Sequence, residues 1–113
     1  GNLNPRVISY SPTSKFGAAI NVDVNSPIIL KFSEPMNPST TQGAFVVTIN
    51  SLAKAGEFIW NADATEMIFS PSSPYGYGQA VVWSLGTGAA DSQGTLLAQA
   101  ISSSFTTKLL INP

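Results

Sequence analysis

The acidic side chains are the first candidates for chemistry in this sequence, because the chain contains no cysteine and no histidine. Acid–base hydrolysis needs two carboxylates at a set separation, or a nucleophile with its base. The acids are scattered along the chain, at Asp23, Glu34, Glu57, Asp63, Glu66 and Asp91. Only Asp63 and Glu66 are close in sequence, and the serines lack the histidine that usually activates them. The pattern therefore predicts no catalytic residue and no enzyme.

Glu34 stands out among the acids because it lies between the end of an apolar run and a proline, in Phe32-Ser33-Glu34-Pro35-Met36. Pro35 cannot donate to a strand ladder, so we expect the strand to end here and the chain to cross to another sheet. A carboxylate at such a crossover can accept backbone N–H groups that cost about 1–3 kcal/mol each when buried and unpaired. Met36 can fill an irregular gap at the end of the core. We expect Glu34 to close the crossover, with calcium ligation or acid catalysis as alternatives.

A calcium site would join Glu34 to Asp91 or Asp23. Ca²⁺ takes six to eight oxygen ligands from dense carboxylates, which this chain does not supply. Asp91-Ser92-Gln93-Gly94 lacks the alternating ligands and the terminal glutamate of a calcium loop. We expect an Asx-turn closed by Gly94 there. No cofactor is predicted, and calcium stays open as the alternative.

The hairpin turn predicted at residues 61–66 holds the two neighbouring acids. Asparagine and aspartate favour turns because their side chains hydrogen-bond to nearby backbone. We expect Asp63 to bond its own backbone in this turn, which gives the pair Asp63 and Glu66 a structural rather than a catalytic role.

The elements that position these side chains follow a period of two, as in Ile28, Leu30 and Phe32 on one face of a run with Lys31 on the other. Short runs rich in β-branched and aromatic residues, separated by dense Pro, Gly and Asn punctuation, are typical of a β-sandwich. One helical turn is expected after Asn37, which can cap it, with Pro38 at its first position. The predicted strands lie near residues 6–10, 18–22, 27–33, 44–50, 56–61, 66–70, 79–86 and 101–107.

Composition narrows the class of protein further. At 113 residues and 43% apolar content, the chain can bury the core of one domain. Charged residues make up 10% of it and the net charge is -1, so nucleic acid is not an expected partner. No run reaches the ~18 apolar residues of a membrane span.

A set of landmarks, in order, carries a family resemblance. They are Val7 with Ser11-Pro12, Val24-Asn25-Ser26-Pro27-Ile28, Phe32-Ser33-Glu34-Pro35-Met36 with Pro38-Ser39-Thr40, Phe69-Ser70-Pro71, residues 88–96 around Asp91 and Gly94, and Ser104-Phe105-Thr106-Thr107. From about Pro5 to Thr107 the chain resembles the bacterial immunoglobulin-like domains first recognised in surface-layer proteins, the SbsA-like Ig domains. The resemblance implies an all-β, immunoglobulin-like antiparallel β-sandwich of seven to eight strands, secreted or surface-bound, within a multidomain chain. It implies no family-wide catalytic residue.

Departures from the family pattern concern the core and one loop. Val81 stands where the family usually has a tyrosine, and Ser103 replaces an aromatic residue whose volume Trp83 can fill in part. Loop 13–25 is a few residues longer than usual.

Tyr75 occupies a core position of the family, which leaves Tyr77 as the exposed ring that could stack on a sugar. Trp60 and Trp83 lie on apolar strand faces and are expected in the core.

The sequence thus predicts a linker or cloning remnant at residues 1–4, the Ig-like domain at 5–107, and an edge extension or linker to the next module at 108–113. Its structural signature is Phe32, Ser33, Glu34, Pro35, Met36, Asp91, Gly94 and Phe105.

The expected function is a non-catalytic extracellular spacer in a larger bacterial secreted or cell-surface protein, with an adhesive role open. The alternative is a carbohydrate- or protein-binding accessory module using Tyr77 and loop 13–25. Expected partners are neighbouring domains, cell-wall or extracellular polysaccharide, or a surface protein.

Overall fold

The computed structural model describes residues 3–110, which form nine strands and one short helix. In chain order these are β1 Val7–Ser11, β2 Ala19–Val22, β3 Ile28–Phe32, α1 Pro38–Gly43, β4 Phe45–Ile49, β5 Leu52–Ala53, β6 Gly56–Trp60, β7 Glu66–Pro71, β8 Ala80–Leu85 and β9 Ile101–Thr107. Every predicted strand is present, with each boundary within about one residue of the prediction. The two-residue β5 was not predicted.

The strands form two sheets, in the orders β1-β3-β7-β6 and β2-β9-β8-β4-β5. The all-β sandwich is confirmed, with one departure from a purely antiparallel arrangement: β2 pairs with β9 in parallel. The N-terminal part of the chain divides between the sheets, since β1 pairs with β3 and β2 then joins the other sheet. β2 runs in the same direction as β1, and β9 also runs in this direction. The pairing of β2 with β9 is therefore parallel.

The core lies between the sheets and follows the period of two. Alternate residues of the central strands are buried, including Ile28, Leu30, Phe32, Val81, Trp83 and Leu85. Phe45 lies at the centre of an aromatic cluster, with ring centroids 5.8 Å from Phe69 and Trp83 and 6.0 Å from Phe58. Trp83 pairs across the strands with Ser103, so it lies where the aromatic residue of the family is missing.

Helix α1 confirms the helical turn expected after Asn37. The Asn37 side chain accepts the N–H groups of Ser39 at 3.0 Å and Thr40 at 3.4 Å, and Pro38 occupies the first turn. Gln42 on this helix accepts the indole N–H of Trp60 at 2.8 Å, while the Trp60 ring stacks on Phe32. The helix therefore covers the end of the core at which the chain crosses between sheets.

The two ends of the sandwich are called here the N-terminal pole, where β1 and β9 begin, and the C-terminal pole, where both end. The Pro5 carbonyl, just before β1, accepts the N–H of Ala98, just before β9, at 2.9 Å. After β9, the Lys108 N–H donates to Val22 at the end of β2. The described chain thus enters at one pole and leaves at the other.

The predicted flanking segments are only partly described. Asn4, assigned to the leading remnant, donates from its side chain to the Leu96 carbonyl at 2.9 Å. At the other end Lys108 is held, since its N–H donates to Val22 and its carbonyl accepts the N–H of Gly78. Residues 1, 2 and 111–113, which belong to the same two predicted segments, lie outside the described residues.

Candidate functional site

The crossover after β3 is held by backbone hydrogen bonds to three neighbouring segments. Phe32 and Met36 donate their N–H groups to Thr65 and Ala64, each at 2.8 Å, and Ser33 donates to Arg6 at 2.9 Å. Met36 is 2% exposed and belongs to the core, as expected for a side chain that fills the end of the sandwich. Main-chain carbonyls therefore satisfy most of the donors that the crossover presents.

Glu34 lies half-buried within this crossover. The donors named above are taken by carbonyl oxygens of the hairpin at residues 61–66 and of the segment before β1. A role for the Glu34 carboxylate as a further acceptor in the crossover stays a prediction.

The Asp91 turn lies directly against the crossover, although the two segments are far apart in sequence. Met36 and Asp91 form an isolated antiparallel bridge, and the Ser92 N–H donates to the Pro35 carbonyl at 3.0 Å. The Asn37 N–H donates to the Ala90 carbonyl at 2.9 Å. The crossover around Glu34 and the turn around Asp91 are thus bonded to each other, and together they are called the junction.

Asp91 is buried, at 1% exposure, and its oxygens are engaged by the backbone. Oδ1 accepts the N–H of Gln93 at 2.9 Å and of Thr95 at 2.8 Å, and the Asp91 carbonyl accepts the N–H of Gly94 at 3.1 Å. Gly94 has φ +86°, a left-handed conformation that glycine adopts without strain. The structure confirms the Asx-turn closed by Gly94.

Calcium ligation by Glu34 together with Asp23 is wrong, because these residues lie at opposite poles. Asp23 follows β2 at the C-terminal pole, where its Oδ1 accepts the N–H of Asn25 at 2.9 Å. Within residues 3–110, no three acidic side chains gather as a metal site would require. Glu34 and Asp91 are near each other along the junction, but Oδ1 of Asp91 already accepts two backbone N–H groups.

The hairpin turn at residues 61–66 differs from the prediction in the residue that organises it. Asn61, not Asp63, accepts the backbone N–H groups, from Thr65 at 2.9 Å and Glu66 at 3.1 Å. Asp63 is exposed on the turn. Glu66 lies 3.8 Å from Lys31 on the outer face of the four-stranded sheet. Glu66 therefore has a lysine of β3 as its charged neighbour.

Tyr75 lies in the core at the C-terminal pole, as expected, with 5% of its surface exposed. Its ring packs edge-on against Phe105, with centroids 5.5 Å apart, and its hydroxyl donates to the Ser26 carbonyl at 2.7 Å. Thr107 closes the same pole, since its hydroxyl donates to the Gly76 carbonyl and accepts the Gln79 N–H. These bonds fix the loops around the end of β9.

Tyr75 predicts a loss of stability at alkaline pH. Burial raises the pKa of its phenol above the ordinary value of about 10. The folded state holds the phenolic proton of Tyr75 more tightly than the unfolded state does. The contribution of Tyr75 to the free energy of unfolding is therefore complete below about pH 10, and it declines as the pH rises further. We expect Tyr75→Phe to flatten this alkaline decline while costing about 1 kcal/mol at neutral pH from the lost hydrogen bond.

Urea unfolding between pH 7 and 11 measures this effect. Tyr77→Phe is the matched control, since that ring is exposed, and it should keep the alkaline decline of the parent chain. An unchanged decline in Tyr75→Phe would show that Tyr75 is not its source.

Exposed aromatic rings occur at two places. Tyr77 is 47% exposed in the loop beside Gly76 and Gly78, as the sequence predicts. Phe16 is 96% exposed at the tip of the loop between β1 and β2, and this exposure was not predicted. The sequence offers one signal for this exposure, which is that Phe16 lies between Lys15 and Gly17. In a strand the alternation of apolar residues shows which side chains are buried, but a loop has no such alternation.

An open cleft of about 430 Å³ lies between the starts of β1 and β9. It is lined by Arg6, Val7, Ala98, Gln99, Ala100 and Ile101. Among the described residues that line it, Arg6 is the only charged one, and these residues include no pair of acids and no nucleophile with a base. The cleft can accommodate a chain segment, but it does not assemble the groups that acid–base or nucleophilic catalysis needs.

The two sheets, with β1 in one and β2 in the other, form an immunoglobulin-like β-sandwich. The family model for the bacterial Ig-like domain matches residues 2–107, and the chain belongs to this family. No curated protein matches. Within the part of the chain that is described, no helix has the length and apolarity to span a membrane.

Solved structures share the fold at low sequence identity. An L,D-transpeptidase from Mycobacterium smegmatis superposes with a TM-score of 0.62 at 23% identity, covering 94% of this chain and 41% of its own. The surface-layer protein SbsC, domains 1–6, gives 0.63 at 14%, covering 96% and 14%. Alpha-2-macroglobulin from E. coli gives 0.66 at 13%, covering 95% and 6%. This chain therefore spans less than half the length of each of these proteins.

Proposed function

We propose that this bacterial Ig-like domain is a non-catalytic spacer module of a longer secreted or cell-surface protein. The observation that carries the proposal is the placement of the chain ends, which lie at opposite poles of a rigid sandwich. Pro5 is fastened at the N-terminal pole and Lys108 at the C-terminal pole by backbone hydrogen bonds. Segments attached to the two ends are thereby held apart by the length of the sandwich.

The comparisons support a modular setting for the chain. The similar solved structures include a surface-layer protein and an L,D-transpeptidase, and in each the matching region is a minor part of the whole. A surface-layer protein forms part of a cell's outer coat, so a domain of this fold in such a chain is consistent with a location outside the cell. The proposal extends this setting to the present chain.

The direction of the strands suits a module that carries tension. Strand hydrogen bonds lie across the strand direction, so a force along the strands loads a whole ladder at once. A pull between the poles acts along β1 against β3 and along β2 against its parallel partner β9. The module would then resist extension of the chain to which it belongs.

Deletion and replacement in the parent protein test the spacer function. Deleting residues 5–107 should bring the following domain closer to the cell surface and reduce its labelling by an antibody against that domain. Replacing them with an unrelated β-sandwich of similar length, with chain ends at opposite poles, should restore the labelling. A replacement that behaves like the deletion would contradict a spacer role.

Carbohydrate binding is a second candidate function, favoured by the exposed Tyr77 ring on its glycine-flanked loop. An aromatic ring displayed on a loop can stack on the apolar face of a sugar. Screening the module on a glycan array, with Tyr77→Ala beside it, tests this candidate. Binding that Tyr77→Ala abolishes would support it, and Phe16→Ala is the control for the other exposed ring. An array with no bound glycan would remove it.

A further inference from the structure

The first half of β9 has a paired strand on one side only. β9 pairs with β8 along residues 101–106 without a break in register, whereas β2 pairs with β9 only from Phe105 onward. Among the described strands, none therefore lies beside residues 101–104 on the side of β2. The backbone groups that point to this side form an unpaired strand edge.

The hydrogen bonds at the end of β9 show which residues point to the unpaired side. The Thr107 N–H donates to the carbonyl just before β8, and the Lys108 N–H donates to the Val22 carbonyl of β2. Successive residues of a strand direct their backbone groups to opposite sides. Ser102 and Ser104 therefore direct their N–H groups away from β8, and Ser102 directs its C=O there as well. The edge offers two donors and one acceptor at the spacing of a strand ladder.

A groove lies along this edge with β1 as its opposite wall, and it is called here the β9 groove. The cleft of about 430 Å³ at the starts of β1 and β9 adjoins a second cleft of about 250 Å³ farther along β1, and Val7 and Ile101 line both. Val7, Tyr10 and Ile101 are partly buried and pack against the core, so they supply an apolar lining. Unpaired backbone groups and an apolar lining are the two features that bind an added strand.

The first half of β9 does not have the features that block other strand edges. Proteins commonly protect an edge with charged side chains, proline or a bulge. β1 has a break in register between Val7 and Ser9, and β2 has one around Asn21, whose φ is 56°. In contrast, Ile101-Ser102-Ser103-Ser104 is uncharged, contains no proline and keeps a continuous register on β8. This edge is therefore able to accept a strand.

We propose that the β9 groove binds an extended segment of another polypeptide, which adds as a strand to residues 101–104. The added strand lies in line with β2, which already pairs with the continuation of the same edge. Every second side chain of the segment is apolar and faces Val7, Tyr10 and Ile101. An acidic side chain at one end of the segment lies near Arg6, which is exposed and is the only charged residue among those that line the cleft.

The shape of the β9 groove favours a single segment over the sheet edge of a second copy. β2 closes the edge at Phe105, and the hydrogen bond from Ala98 to Pro5 closes it at the other end. A second copy would bring its own neighbouring strands into the space that β1 and β2 occupy. A carbohydrate would lack the alternating N–H and C=O groups that match a strand edge. A narrow, extended polypeptide meets both requirements.

A random heptapeptide library displayed on phage and selected on the folded domain is the first test. The selected peptides should carry apolar residues at alternate positions and an acidic residue at one end. Selection on the Arg6→Glu variant should replace that acidic residue with a basic one, because the charge beside the groove is reversed. A library without a binder, or the same acidic consensus on both proteins, would overturn the proposal.

Two substitutions of Ser102 separate the backbone edge from the side chain. Ser102→Pro removes the N–H that points into the β9 groove, and proline is tolerated at the free side of an edge strand. It should weaken binding of a labelled selected peptide about tenfold, measured by fluorescence anisotropy. Ser102→Ala keeps the N–H and should bind like the parent chain. Equal affinities of the two variants would contradict strand addition.

Hydrogen exchange on the parent chain locates the bound peptide and does not depend on the folding of Ser102→Pro. In the free protein the amides of Ser102 and Ser104 should exchange faster than that of Ser103, which points toward β8. Saturating peptide should slow exchange at Ser102 and Ser104 about tenfold and leave Ser103 unchanged. The same peptide with alternate amides N-methylated cannot pair as a strand and should give no protection.

Two patterns of exchange would overturn the proposal. One is protection confined to another surface, such as the loop of Tyr77. The other is protection of Ser102 and Ser104 that grows with protein concentration in the absence of peptide, which would identify a second copy as the occupant. Neither pattern bears on the deletion and replacement test, so this proposal and the spacer function fail separately.

Discussion

Replacing Asp91 with alanine is expected to lower the free energy of unfolding by about 3 kcal/mol, because two backbone donors lose their acceptor. The Asp91 side chain is 1% exposed, and its Oδ1 accepts the N–H groups of Gln93 and Thr95 at 2.9 and 2.8 Å. The turn also holds the Ser92 N–H against the Pro35 carbonyl, so the crossover after β3 loses support with it. Urea unfolding followed by tryptophan fluorescence measures the change.

Two variants make the Asp91 result specific. Asp91→Asn keeps an acceptor oxygen in place and should cost about 1 kcal/mol or less. Asp63→Ala removes an exposed aspartate from another turn and should stay within about 0.5 kcal/mol of the parent chain. An Asp91→Ala protein as stable as Asp63→Ala would mean that the Asx-turn does not support the junction.

Replacing Phe45 with alanine is expected to have the largest effect, a loss of about 4 kcal/mol in the free energy of unfolding. Phe45 is 7% exposed and its ring contacts Phe58, Phe69 and Trp83, which belong to both sheets. Truncation would remove the ring that joins these sheets and leave a cavity at the centre of the cluster. Since domains of this size have a total stability of about 5–15 kcal/mol, the variant should be partly unfolded near 37 °C.

Phe16→Ala provides the matched control for Phe45→Ala, because it makes the same chemical change at 96% exposure. Its free energy of unfolding should remain within about 0.5 kcal/mol of the parent chain. Calorimetry of the two variants compares them directly. A Phe45→Ala loss of less than about 1 kcal/mol would contradict the placement of Phe45 between the sheets.

The sequence was sufficient to place the strands, because each strand has one buried face and the apolar residues repeat every second position. Ile28, Leu30 and Phe32 are all buried while Lys31 is exposed, as their alternation predicts. Apolar alternation says nothing about which strand lies beside which, however. The parallel pairing of β2 with β9 depends on how the chain crosses between sheets, and this was not predicted.

The candidate site was predicted only in part, for the same reason. The segment after Phe32 and the Asp91 turn were identified separately, from local features such as Pro35 and the Asp-Gly spacing. Their contact through the Met36–Asp91 bridge is a tertiary feature that no local pattern encodes. Turn chemistry was ambiguous as well, since Asn61 and Asp63 both favour turns and only the backbone geometry decides that Asn61 accepts the hydrogen bonds.

Single-molecule pulling tests most directly whether this sandwich is built to hold its two ends apart under load. The chain has no cysteine, so handles can be attached at Leu3→Cys and Lys108→Cys, one beyond each pole, or at Ala80→Cys and Lys108→Cys, both at the C-terminal pole. The first pair should load the β1–β3 and β2–β9 ladders in shear and unfold at a clearly higher force than the second, which peels β9 from β8. Equal forces in the two directions, or a weaker pole-to-pole direction, would contradict a module that transmits tension through its terminal strands.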